Sequence, residues 1–163
     1  MEPLRVGLVG YGGAGRGIHS RLLRAAGQRV THVVTARRAA QVADDWPGAA
    51  VLPDAEAMWA RADEVDLLVV ASPTGDHAAH VTAALATGRH VLVDKPLAVT
   101  TEEAAALAAL ADGRLTVFQN RRWDPEQLAL TLLEQAGVRM GQDGAVSIKT
   151  GADVEVVVIA AGP

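Results

Sequence analysis

The chain contains no cysteine, one tyrosine, one phenylalanine and two lysines, Lys95 and Lys149, among its 163 residues. Without cysteine there is no disulfide framework, no thiolate metal centre and no cysteine nucleophile. No metal site is expected, and a reducing, cytoplasmic setting fits. Half of the residues are apolar, yet no run approaches the roughly 18 needed to cross a bilayer. The start, MEPLRVGLVG, has neither a basic leader nor a small-residue cleavage site, so no signal peptide is expected. The formal charge is −4 and no basic run exceeds two residues, which argues against a nucleic-acid surface. Repeats and low-complexity segments are also lacking. The length suits a single domain with a core large enough to fold alone. Because lysine is so scarce, one that falls inside a motif stands out.

What is present is an alternation of short apolar runs with helical patterns. Leu4–Val9 reads as a buried strand ended by glycine, and a helix from about Gly13 to Ala26 follows, stopped by Gly27. Val30–Thr35 is a second strand, Ala39–Ala43 begins a helix, and Ala50–Leu52 is a weak third strand closed by Pro53. Ala55–Arg61 makes a short helix, Val65–Ala71 a buried strand ended by Pro73, and His77–Thr87 a helix capped by Gly88. The segment HVLVDKP is the fifth strand. Thr100 with Glu103 makes a capping box for a helix that ends at Gly113. Leu115–Asn120 is a sixth strand, and Asp124 as N-cap with Pro125 opens a helix ending at Gly137. The order predicts an α/β fold: a doubly wound, parallel Rossmann sheet with helices on both faces. The boundary falls at residue 137. Residues 138–163 form a short β-rich tail whose candidates, Ala145–Lys149 and Val154–Ala160, suit a hairpin.

Within VGLVGYGGAGRGIH, Gly10, Gly12 and Gly15 fit G-x-G-x-x-G directly after the first strand. Gly10 allows the tight turn, Gly12 lets the backbone approach a pyrophosphate, and Gly15 lets helix and strand pack closely. Gly13 and Ala14 open the helix, whose unpaired N–H groups and partial positive charge face the phosphates. An isolated motif of this kind marks a flexible turn about as often as a nucleotide site. The strand–turn–helix context and the alternations behind it favour a dinucleotide. An acid at the end of the second strand would bond the ribose 2′-OH of NAD, whereas arginine suits the 2′-phosphate of NADP. Here the strand ends VVTARRAAQ, with no acid before Asp44. Arg37 and Arg38 stand where a 2′-phosphate would lie, and Thr35 adds a hydroxyl. NADP is the expected cofactor, with NAD as the alternative and two solvated arginines as the bland reading.

Three further motifs carry a resemblance to a known family: ASPTGDHAAHVTAALATGRHVLVDKP, the strand VFQN, and RRWDPEQL after it. In order and spacing, residues 4 to 136 resemble the Gfo/Idh/MocA oxidoreductases, in particular a branch that includes NADP-dependent scyllo-inositol dehydrogenases. The resemblance implies that Ser72, Pro73, Thr74 and His77 line the nicotinamide half of the cofactor. It implies that Lys95 hydrogen-bonds the reacting hydroxyl, and that Asn120 and Arg122 face the cleft. Asp94 stands where the family usually has glutamate, one methylene shorter. Lys95 also fits on chemical grounds, since open α/β sheets place ligands at the carboxyl ends of their strands. His19, His80 and His90 look structural. The family's second, substrate-binding domain and its D-x-x-x-H motif have no counterpart after residue 124.

Two functions therefore stay open at this point. One is hydride transfer between NADP and a sugar or cyclitol hydroxyl, with Lys95 as catalytic residue. The other is a dinucleotide-binding or interaction module without catalysis. The run VEVVVIA is too apolar for a free edge, so it is expected to join the parallel sheet or to pair with a second copy, giving a homodimer.

Overall fold

The computed structural model describes residues 2–123, with 132, 135, 138–140, 145–150 and 154–159. It forms two compact units, Met1–Phe118 and Gln119–Pro163. In the first unit the elements run β1 (Arg5–Val9), a wide π-type turn (Gly15–Ser20) continuing into α1 (Arg21–Ala25), and β2 (Arg29–Val34). Then come α2 (Ala39–Asp45), β3 (Ala50–Leu52), α3 (Ala55–Trp59), β4 (Leu67–Val70) and α4 (His77–Ala86). The unit closes with β5 (His90–Asp94), α5 (Thr101–Leu110) and β6 (Leu115–Phe118).

The six strands form one parallel sheet in the order β3-β2-β1-β4-β5-β6. Side chains alternate across it, as the period of a strand requires. Val6 and Leu8 of β1 join Val30, Val33 and Val42 in one apolar layer, whereas Val9 joins Met58, Leu68, Val70 and Val81 in the other. A sheet buried on both faces needs continuous apolar strands, which is why RVGLV and LLVV carry no polar alternation.

The helix ends follow local chemistry. Thr100 accepts from the Glu103 N–H at 3.2 Å while the Glu103 carboxylate accepts from the Thr100 N–H at 3.2 Å, completing the capping box of α5. After α1, Gly27 at φ 70° lets its N–H reach the Arg24 carbonyl at 3.0 Å and lets Gln28 N–H reach Leu23 at 2.9 Å. This pair of bonds is a Schellman closure.

The sixth strand is shorter than the expected Leu115–Asn120. Its ladder ends where Phe118 stands opposite Asp94, since Pro96, two residues on, has no N–H to extend it. Of the helix expected from Asp124 to Gly137, only Leu132 and Gln135 are among the described residues, and both are helical. In the second unit a 3₁₀ turn, Asn120–Trp123, precedes β7 (Val138–Met140), β8 (Ala145–Thr150) and β9 (Val154–Ile159). These three strands make a separate antiparallel sheet, β7-β8-β9. Val154–Ile159 therefore does not join the parallel sheet, because its partner is the neighbouring strand across a short connection. Val138–Met140 is a strand that residue patterns did not signal.

Candidate functional site

The carboxyl ends of β1 to β5 open into one cleft of about 920 Å³. β1 and β4 are neighbours there while their outgoing connections lead to opposite halves of the sheet, the usual place for a ligand crevice. Gly10, Gly12, Gly13 and Ala14 line it from the first turn. Gly10 sits at φ 96°, and a Cβ on it would stand 2.5 Å from the Ala71 carbonyl oxygen. A Cβ on Gly15 would fall on the Gly10 carbonyl, whereas a Cβ on Gly12 or Gly13 would meet nothing within 4 Å among the described residues. The turn is thus tightly packed on its protein side and bare on its cleft side. That is the shape a pyrophosphate needs beside helix N–H groups, so these residues fit a dinucleotide. Gly15 itself supports the turn from behind and is not part of the lining.

The second wall is Thr35 to Arg38, after β2, with Pro53 to Glu56 after β3. Arg37 and Arg38 are both exposed, and no acid interrupts this stretch. Asp54 uses its carboxylate to cap α3, accepting the Ala57 N–H at 2.9 Å.

Ser72, Pro73 and Thr74 line the cleft after β4, with Asp76 and His80 beside them. His77 does not, which corrects the expectation for it: its ring is 1% exposed and turned inward. The ring nitrogens lie 2.9 Å from the Ser72 carbonyl oxygen and 2.7 Å from that of Pro96. His77 therefore braces the Ser72 and Pro96 loops against each other from behind this end of the cleft. His80, three residues on, takes the lining position, with Nδ1 2.9 Å from the Ser72 hydroxyl.

Asp94 closes the cleft at the end of β5. Its shorter side chain turns back to accept the Lys95 backbone N–H at 2.9 Å. Behind it lies His19, 4% exposed, with Nε2 3.7 Å from the Asp94 carboxylate and its ring edge-on to Phe118 at 4.8 Å. Burial pushes the His19 pKa down, and the Asp94 charge opposes that only in part. Lys95 follows Asp94 directly, with an exposed side chain outside the cleft lining. Asn120, exposed, and Arg122 belong to the turn after β6 in the second unit, and the Arg122 side chain lies outside the described residues.

Residue patterns missed Tyr11, which lines the cleft from a variable position of the glycine motif. Its hydroxyl donates to Asp45 at 2.8 Å, and burial is the main cause of its raised pKa. The available signal was that the chain's one tyrosine falls inside the motif.

A family model described as "Oxidoreductase family, NAD-binding Rossmann fold" (GFO_IDH_MocA) matches residues 4–121. The uncharacterized oxidoreductase YdgJ of Escherichia coli (strain K12) is 38% identical over 140 residues, covering 84% of this chain. The scyllo-inositol 2-dehydrogenase (NADP(+)) IolW of Bacillus subtilis (strain 168) is 31% identical over 140 residues, covering 84% of this chain. This chain spans 40% of the first relative's length and 39% of the second's. Myo-inositol dehydrogenase from Lactobacillus casei, solved in complex with NAD(H) and myo-inositol, superposes with a TM-score of 0.75 at 29% identity. That match covers 83% of this chain and 42% of the solved one.

Proposed function

The chain belongs to the Gfo/Idh/MocA oxidoreductase family, and from that premise we propose that its first unit binds NADP and serves hydride transfer from a sugar or cyclitol hydroxyl. The observation that carries the reading is the cleft itself: a glycine turn bare on its ligand side, two exposed arginines after β2, and the Ser72–Thr74 turn opposite. Bound NADP supplies a two-electron acceptor for the hydride of the carbinol carbon. The chain's own residues do the rest. The Gly12–Ala14 backbone holds the pyrophosphate, and Arg37 and Arg38 meet the 2′-phosphate. Ser72, Pro73 and Thr74 seat the nicotinamide against Asp94. Lys95, exposed at the exit of β5, hydrogen-bonds the reacting hydroxyl and orients its oxygen while the hydroxyl proton passes to solvent water.

Fluorescence titration with both reduced cofactors tests the first half. NADPH is expected to bind at least about tenfold more tightly than NADH, equivalent to about 1.4 kcal/mol. Equal affinity, or a preference for NADH, refutes the cofactor assignment. NADP reduction across a panel of inositols and sugars tests the second half, with Lys95→Ala expected to abolish any turnover. Tight NADPH binding with no turnover on the panel favours the dinucleotide-binding module instead.

A further inference from the structure

A second cleft, about 430 Å³, opens on the other flank of the glycine turn, between α1 and α2. It shares Gly12, Gly13 and Arg38 with the first cleft, so the two meet at the turn and at the end of β2. Its walls are strongly charged: Arg16, Arg21, Arg24 and Arg38 stand against one carboxylate, that of Asp45. Asp45 is already engaged. One of its oxygens accepts from Arg16 Nε at 2.6 Å and from the Tyr11 hydroxyl at 2.8 Å, and the other lies 3.3 Å from an Arg16 terminal nitrogen. Arg24 is held as well, donating to the Asp45 carbonyl and lying 4.7 Å above the Trp46 ring.

This arrangement has two consequences. Asp45 neutralises one guanidinium of the four, so the pocket keeps an excess of positive charge. Arg16, gripped along one side of its fork, is fixed in direction while its remaining N–H groups stay available. A fixed planar guanidinium is the group best matched to phosphate oxygens. The ion pair also holds the Asp45 carboxyl below its usual range, and the Arg16 hydrogen bond is the main cause.

We propose that this pocket receives the 2′-phosphate of the dinucleotide, with Arg16 and Arg38 as its two jaws and with Asp45 and Tyr11 as positioning residues for Arg16. The proposal rests on the reading that the first unit binds NADP. It goes beyond that reading by moving much of the selectivity from the loop after β2 to the first turn of the helix after β1. A cofactor without the 2′-phosphate leaves the remaining N–H groups of Arg16 and those of Arg38 to water.

The test uses the full chain and two fragment pairs, 2′,5′-ADP against 5′-ADP and NADPH against NADH, titrated by calorimetry and fluorescence. In Arg16→Gln, affinity for 2′,5′-ADP and NADPH is expected to fall at least about tenfold, while 5′-ADP and NADH change by less than about twofold. Arg16→Lys keeps the charge without the fork and should recover only part of the loss. Asp45→Asn should show the same selective pattern with Arg16 intact, and a melting curve confirms that the variant is folded. Arg61→Gln, on an exposed residue away from both clefts, serves as control. An equal loss for all four ligands, or no loss for any, overturns the proposal. If the parent chain prefers NADPH and Arg16→Gln retains that preference, the pocket is refuted while the cofactor reading stands. If the parent chain binds neither dinucleotide, both fall together.

Discussion

Gly10 and Gly12 are two residues apart in one motif, yet the structure gives them opposite liabilities, and alanine at each separates folding from binding. At Gly10 the backbone is left-handed, φ 96°, and an added Cβ would stand 2.5 Å from Ala71 O, 2.8 Å from Ala71 C and 2.8 Å from Ser72 N. All three neighbours are backbone atoms, so no side chain can rotate away. Left-handed strain costs about 1–2 kcal/mol for a residue with a Cβ, and overpacking a close contact costs about 1–3 kcal/mol more. Gly10→Ala is therefore expected to lose about 2–5 kcal/mol, a large share of the roughly 5–15 kcal/mol that holds a typical domain. At Gly12 nothing among the described residues lies within 4 Å of the added Cβ. Gly12→Ala should keep the melting temperature, or raise it slightly through loss of unfolded-chain freedom, about 0.4–1 kcal/mol. Its cost falls on the ligand, because the methyl occupies the space through which a pyrophosphate approaches the turn. A clash of about 1–3 kcal/mol corresponds to roughly a fivefold to 140-fold loss of affinity. Thermal melts and NADPH titrations of both variants read the two effects separately. A Gly12→Ala protein that binds NADPH as the parent does, or a Gly10→Ala protein with an unchanged melt, refutes the reasoning.

Two other expectations concern stability. Thr100→Ala removes one half of the α5 capping box and should cost about 1 kcal/mol in a thermal melt, while Thr100→Ser should cost much less. Acidification should act in two stages with a fixed sign. His19 has a folded pKa below its usual 6.5, so its neutral form contributes stability that is intact above about 6.5 and declines as pH falls further. Asp66 is held at about 2 instead of 3.8, chiefly by the Arg5 side chain, so its contribution persists above 3.8 and fades between there and 2. Melting temperature against pH should flatten in the first range for His19→Phe and in the second for Asp66→Asn. A profile unchanged by either substitution contradicts the assignment.

The parts of the fold that were legible in the sequence are those set within a few residues. The strand–turn–helix at Gly10 depends on contacts inside one turn, and the capping box on residues three apart. The doubly wound parallel sheet followed because apolar runs alternating with helices admit few arrangements. What was not legible depends on phase or on distant partners. His77 and His80 differ by three positions on one helix, and their exchange of roles is a matter of helix rotation that the residue types do not encode. Here the loops at Ser72 and Pro96 supply carbonyls to the inner ring. Arg16 reads as one arginine among many until Asp45, far along the chain, closes on it. The length of β6 was set by where its neighbour ran out of donors, and β7 by a partner strand rather than by its own three residues.

The cleft draws its lining from the loops after β1, β2 and β3, the loop after β4 with the start of α4, and the last residue of β5, so its parts come from chain positions 9 through 94. No single crossover carries the whole of that lining. Parallel neighbours such as β1 and β4 must first meet across a long intervening stretch, a pairing that is slow because loop closure comes before any contact rewards it. Ligand-binding competence should consequently appear in one late step during refolding, together with the last of the sheet and not before. The same geometry ties the ligand to the whole of β1 through β5: a bound dinucleotide raises the free energy of global unfolding by mass action. It thereby slows hydrogen exchange of sheet amides as remote from it as those of the β5–β6 ladder.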